Sequence, residues 1–141
     1  MTKVAISGYF DPVHIGHIDL MKRARKLGDY LIVIVNNDFQ AKLKKGRSFM
    51  SEKERVEIIK SLKFVDEVVL SIDMDRTVRK TLELVKPDIF ANGGDRITDE
   101  DVPEKEICDK FGIRMMNNLG EKLQSSSNLT GLVSVGKKAI V

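Results

Sequence analysis

The sequence predicts an α/β fold: a Rossmann-like parallel five-stranded sheet with helices on both faces, built as one domain over residues 1–141. Three observations predict it. Strand-like and helix-like patterns alternate from end to end, which implies strand–helix–strand units and a parallel sheet. The run Tyr30-Leu31-Ile32-Val33-Ile34-Val35 is apolar at every position, as in a parallel strand covered on both faces. A chain of 141 residues suits one compact domain, burying roughly two-thirds of its unfolded surface, and leaves little room for a second.

Lys3 to Ser7 reads as the first strand. Ile15 to Leu27 follows as a helix, with Ile15, Ile18, Met21, Ala24 and Leu27 on one side and Lys22, Arg23, Arg25 and Lys26 on the other. Gly28 is its stop. After the second strand, Tyr30 to Val35, the stretch from Asn36 to Phe49 reads as a basic loop. Ser51 opens the next helix with Glu54 three residues on, a capping-box pattern, and Val56, Ile58, Ile59 and Leu62 supply its apolar side. Val68 to Leu70 is a third strand, Arg76 to Val85 a third helix and Asp88 to Ala91 a fourth strand. A helix from Pro103 to Lys110, a fifth strand near Ile113 to Met116 and a last helix after Ser125 complete the pattern.

Composition excludes several classes. Hydrophobic residues make up 42% and charged residues 32%, the balance of an ordinary soluble domain. Cys108 is the only cysteine, so no intrachain disulfide forms, and it reads as a buried thiol in a reducing compartment. The net charge of +3, from 24 basic and 21 acidic side chains, is too small and too evenly spread to argue for nucleic acid. No apolar run is long enough to span a bilayer, and Met1 to Ile6 lacks a basic-then-apolar export leader. A cytoplasmic protein without a membrane partner is expected.

In open α/β sheets, ligands bind beyond the carboxyl ends of the strands. That rule selects the loops Gly8 to Ile15, Asn36 to Phe49, Asn92 to Ile97 and Asn117 to Ser127. The first, read on through the helix start to His17, carries both histidines of the chain, His14 and His17, with Gly16 between them. Glycines let the backbone approach a phosphate, and a helix N-terminus offers N–H groups to an anion. Three residues is close to one helical turn, so both imidazoles can face one ligand. On spacing alone, two helix-cap histidines around a structural glycine are an equal alternative. A zinc site is weaker, because no cysteine lies near and helical metal-binding histidines usually sit four apart.

The segment Gly8-Tyr9-Phe10-Asp11-Pro12-Val13-His14-Ile15-Gly16-His17 resembles the signature of the cytidylyltransferase-like nucleotidylyltransferases. The likeness continues through Ile18 to Asp29, Ser51 to Ile59, Asp66 to Val69 and Pro87 to Asp95. It points towards glycerol-3-phosphate cytidylyltransferases and the adenylyltransferase domain of the heptose-phosphate enzymes. The resemblance implies attack of a substrate phosphate oxygen on the α-phosphorus of a nucleoside triphosphate, with pyrophosphate leaving. It implies His14 and His17 as donors to the phosphates, and Gly8, Tyr9, Phe10, Asp11 and Gly16 lining the nucleotide. Mg2+ would arrive with the triphosphate, held by phosphate oxygens and Asp11; no protein metal site is expected.

In the basic stretch Lys42, Lys44, Lys45 and Arg47, the resemblance makes Lys45 catalytic and assigns Lys44, Arg47 and the helical Arg55 to the acceptor phosphate. A solvated basic face is the plain alternative. Ser125, Ser126 and Ser127 match a segment that holds the triphosphate, although serines before a helix are usually simple caps. Asn92, Gly93, Gly94 and Asp95 would read the base. Cytidylyltransferases typically carry an acidic residue where Gly94 stands and an arginine where Gly120 stands, with Lys122 a candidate substitute. Both departures lean the base towards adenine, so ATP is expected, and a CTP-dependent enzyme is the alternative.

The acceptor expected is a sugar or polyol phosphate, and the family implies a homodimer. Two rival classes fit less well. His14-Ile15-Gly16-His17 also spells a class I aminoacyl-tRNA synthetase signature, but no K-M-S-K-S segment is present. A non-catalytic nucleotide-binding module would not need the paired histidines.

Overall fold

A computed structural model describes residues 1–93, 102–120 and 130. Its elements are β1 (Lys3–Gly8), α1 (Ile15–Arg25), β2 (Tyr30–Val35), α2 (Asp38–Lys45), α3 (Glu52–Lys60), β3 (Glu67–Leu70), α4 (Arg79–Val85), β4 (Ile89–Gly93), α5 (Lys105–Phe111) and β5 (Arg114–Leu119). The five strands form one sheet in the order β3-β2-β1-β4-β5, and every pairing is parallel. β1 lies in the middle, in register with β2 from Lys3↔Tyr30 to Gly8↔Val35 and with β4 at Val4↔Ile89. The direction of winding reverses between β1 and β4, so their carboxyl ends flank the crevice where such sheets take ligands.

The period-two alternation of strand side chains divides the core. Val4, Ile6, Leu31, Val33 and Val35 face α1 and α3, packing with Met21, Ala24 and Ile59. Ala5, Ile32, Ile34 and Phe90 face the other side, where Val78, Leu82 and Cys108 come from the α4 and α5 region. Helices therefore cover both faces, which is why the central strands could be apolar throughout.

Several boundaries differ from the sequence expectation. The basic stretch after β2 is a helix, α2, rather than a loop. Asn37 accepts from Gln40 N at 2.8 Å and Gln40 Oε1 accepts from Asn37 N at 3.0 Å, a reciprocal cap. Gly46 ends the helix at φ 85°, a left-handed position that favours glycine. In α3 only half of the expected box forms: Ser51 Oγ accepts from Glu54 N at 3.3 Å, while Glu52 Oε1 accepts from Asp38 N at 2.8 Å. α4 begins at Arg79 rather than Arg76. The buried Asp73 carboxylate accepts from Lys80 N (2.8 Å) and Thr81 N (3.0 Å), capping that helix from outside. β5 continues past Met116 to Leu119.

Candidate active site

The loop from β1 to α1 is built around Phe10 and Asp11, both buried. Phe10 adopts φ 52° and turns its ring back over the strand end. A Cβ at Gly8 would lie 2.9 Å from Phe10 Cζ, so a side chain there would force the buried ring to shift. The same ring meets His17 edge-on, with centroids 4.8 Å apart. Asp11 is fully buried, and its carboxylate accepts from Phe49 N and Met50 N, both at 2.7 Å. Lys45 Nζ stands 3.1 Å from Asp11 Oδ2 and also donates to the Asp11 carbonyl at 3.3 Å.

His14 is the N-cap of α1. Its Nδ1 accepts from Gly16 N at 3.1 Å, and its own N–H donates to His17 Nδ1 at 3.1 Å. The rings stack with centroids 3.8 Å apart and 21° between planes. An imidazole whose Nδ1 accepts a main-chain hydrogen bond carries its proton, when neutral, on Nε2; the tautomer is thus assigned from the hydrogen bonds. Burial, then His14, Lys44 and Lys45 nearby, lower the His17 pKa to about 3. His17 is therefore a neutral Nε2–H donor at physiological pH. Capping and ligand donation, alternatives in the sequence, are compatible here, because the cap uses Nδ1 only.

Two lysines stand over the Tyr9 ring. Lys44 Nζ lies 4.4 Å from the Tyr9 ring centroid, and Lys45 Nζ lies 5.9 Å from it. The Tyr9 hydroxyl is buried and makes no well-formed hydrogen bond among the described residues. Burial pushes its pKa up, while the adjacent Arg76 guanidinium pulls the other way. Arg76 was not singled out by the sequence, where it reads as the first residue of a helix.

Arg55, expected at an acceptor phosphate, is instead almost wholly buried. Its Nε donates to Met50 O (3.0 Å), Nη1 to Tyr9 O (2.8 Å) and Asn36 O (2.6 Å), and Nη2 to Asp38 Oδ1 (2.8 Å). These contacts pin the carboxyl ends of β1 and β2 to the start of α3, which makes Arg55 a brace. The expected magnesium contact of Asp11 meets a similar obstacle: its carboxylate is occupied by two amides and Lys45. Among the described residues no group of three or more His, Cys, Asp or Glu could hold a metal ion. Among the described residues, Asp11 is thus not part of a fitting magnesium cage.

Gly16 lies in the first turn of α1, and Arg47 is exposed just past α2. Asn92 is buried, donating from Nδ2 to Asn117 Oδ1 at 2.9 Å, with Gly93 ending β4 beside it. Gly120 has φ 83°, and a Cβ there would fall 2.8 Å from Arg23 Nε and Asp19 Oδ2, so the α1 ion pair fills the space a side chain would take. Gly94, Asp95, Lys122, Ser125, Ser126 and Ser127, and the helix expected after Ser125, lie outside the described residues.

A paired-histidine loop at the β1 carboxyl end, on the switch point of a parallel sheet, matches one family over nearly the whole chain: the cytidylyltransferase-like model covers residues 5–128. The chain belongs to the cytidylyltransferase-like family. This makes it a nucleotidyltransferase by family. Among the relatives of this cytidylyltransferase-like chain is an "FAD synthase" of Ferroglobus placidus, 40% identical over 114 residues, covering 81% of this chain and 72% of that one. A "Bifunctional protein HldE" of Syntrophotalea carbinolica is 37% identical over 116 residues, covering 81% of this chain but 23% of the relative. The solved lipopolysaccharide core biosynthesis protein of Thermoplasma volcanium superposes with a TM-score of 0.70 at 35% identity, covering 88% of this chain and 99% of that one. No helix among the described residues is long and apolar enough to cross a membrane.

Proposed function

We propose that this protein transfers AMP from ATP, supplied as its magnesium complex, to the phosphate of a small phosphomonoester. The observation that carries the reading is the His14–His17 pair: stacked imidazoles at a helix N-terminus, each with Nδ1 held by a main-chain N–H. That arrangement supports two Nε2–H donors towards a polyphosphate, added to the N–H groups and positive dipole end of α1.

In the proposed reaction, an acceptor phosphate oxygen forms a bond to the α-phosphorus. The bond from that phosphorus to the α–β bridging oxygen breaks, and pyrophosphate leaves with the electron pair. Nothing is oxidised or reduced, and the protein carries no covalent intermediate. Its task is positioning and charge stabilisation. His17, neutral and half-buried, donates to phosphate oxygens as negative charge moves towards the leaving group. His14 does the same from the N-cap. Lys45 neutralises Asp11 and sets the loop, and Lys44 contributes positive potential from above Tyr9. Asp11 acts through the amides of Phe49 and Met50 rather than through the metal. The family's adenine-reading loop is assigned to Asn92 to Asp95, and its serine segment to Ser125 to Ser127.

For the acceptor, the relative named FAD synthase favours flavin mononucleotide, because joining AMP to its phosphate yields FAD. A sugar phosphate is the second reading, favoured by the relative named HldE and the solved lipopolysaccharide core protein. The test is pyrophosphate release with ATP, CTP, GTP or UTP, each against flavin mononucleotide and a sugar- and polyol-phosphate panel. Release that requires ATP together with one phosphomonoester supports the proposal. Release with CTP alone transfers the reading to cytidylyl transfer, and triphosphate binding without release from any pair refutes it.

A further inference from the structure

Resting on the transferase reading above, we propose that Asn117 is a positioning residue for base choice: it holds the Asn92 carboxamide so that Oδ1 accepts a hydrogen bond from the exocyclic amine of the base.

An irregularity in the sheet makes the contact between the two asparagines. β4 and β5 pair in register up to Ala91↔Met116, and pairing resumes at Gly93↔Leu119. Asn92 therefore stands opposite two residues, Asn117 and Asn118, the count of a β-bulge. Bulges are rare between parallel strands, and beside an active site they re-aim a side chain. Asn118 takes the extra step at φ 61°, a left-handed conformation that asparagine enters more readily than most residues. The sheet opens at the same place. β1 keeps β2 as far as Gly8↔Val35, but its pairing with β4 is at Val4↔Ile89 and Ala5↔Phe90. Past Phe90, β4 thus has β5 on one side and the switch-point crevice on the other.

Asn92 is 8% exposed there, and its Nδ2 donates to Asn117 Oδ1 at 2.9 Å. A carboxamide carries donors at one end and an acceptor at the other. With the amino end drawn to Asn117, the end turned away is Oδ1, which accepts no hydrogen bond among the described residues. A largely buried oxygen is completed by a donor and left unpaired by a second carbonyl. Adenine and cytosine bear an exocyclic amine where guanine and uracil bear a carbonyl oxygen. The pair therefore favours amino-bearing bases, in line with ATP as the donor. Without Asn117, the Asn92 amide is able to turn over and offer Nδ2 to a carbonyl instead. The choice is set by Asn117 acting through Asn92.

The test uses inosine triphosphate, which has a carbonyl oxygen where ATP has the amine. Calorimetry measures binding of each magnesium complex without an acceptor, and transfer to flavin mononucleotide and glucose 1-phosphate is followed separately. Wild type should prefer ATP by about tenfold to a hundredfold, the difference between a paired and an unpaired buried oxygen. Asn117→Ala should bring the two within about threefold, by weakening ATP and strengthening inosine triphosphate, whereas a merely structural defect weakens both. Asn117→Asp, whose carboxylate only accepts, should keep the preference. Asn118→Gly, suited to the same left-handed position, should match wild type. Equal binding of the two by wild type, a preference for inosine triphosphate, or an undiminished preference in Asn117→Ala overturns the proposal and leaves the transferase reading intact. Parallel weakening of both triphosphates in Asn117→Ala overturns it too, by making the pair part of the fold. A preference that depends on Asn117, with no transfer to either probe, supports the base contact and defeats the transferase reading.

Discussion

The imidazoles of His14 and His17 stack at 3.8 Å, and the main-chain N–H of the first donates to Nδ1 of the second at 3.1 Å. One hydrogen bond thereby caps a helix and fixes a tautomer. In the proposed reaction the same pair donates to phosphate, and the cap and the donor role can be separated by substitution.

His17→Asn offers an acceptor oxygen near the place of Nδ1 and removes the Nε2–H. Turnover should fall at least about a hundredfold, in the range seen when one donor to a developing oxyanion is lost, with a small change in Tm. His17→Ala loses the cap as well and should cost an additional ~0.5–2 kcal/mol of stability. Steady-state kinetics with thermal melts check both; a folded His17→Asn enzyme of near-normal turnover contradicts the donor role.

The pKa of His17 sets a pH window. It is about 3 in the folded chain against 6.5 for an ordinary histidine, so between these values the unfolded state binds a proton that the native state does not. Stability from this group is complete above about pH 6.5 and is lost as pH falls towards about 3. In histidine NMR, His17 should keep the Nε2–H pattern from pH 8 to pH 5. A midpoint near 6.5 would contradict its burial as a neutral group.

Arg55→Ala should act on folding. Removing a buried cation with four protein acceptors is expected to cost about 3–5 kcal/mol in urea unfolding. The folded fraction should keep an acceptor KM close to wild type. A stable variant with a raised acceptor KM would return Arg55 to the substrate.

Gly8→Ala places a methyl group 2.9 Å from Phe10 Cζ, and Phe10 is held in turn by His17. Overpacking should cost about 1–3 kcal/mol and disturb the histidine pair, lowering kcat along with Tm. Unchanged values of both would mean that the loop gives way freely.

The sequence made the sheet legible because its central strands are buried on both faces: Tyr30 to Val35 could be little else. It also located His14 and His17, since their spacing and the glycine between them are local. α2 escaped because Lys42, Lys44 and Lys45 dominate the segment, although Asn37, Gln40 and Gly46 carried the cap and stop of a helix. Lys45, Arg55 and Asp11 show a different limit. A charged side chain looks alike in sequence whether it faces a ligand or a neighbouring carbonyl, and only packing 38 or 39 residues away reveals that Asp11 serves Phe49 and Met50. The loop after β3 was hidden for the same reason: the carbonyls of Asp75 and Thr77 are held by Gln40, 35 and 37 residues earlier in the chain.

The central claim is tested most directly by following the label from ATP labelled at the α-phosphorus, with magnesium and flavin mononucleotide or a sugar phosphate. The account predicts that label enters a product joined to the acceptor through a new pyrophosphate linkage, with one pyrophosphate released per product, and that His17→Asn nearly abolishes it. Label that stays in ATP with every acceptor, or pyrophosphate released equally without an acceptor, would contradict it.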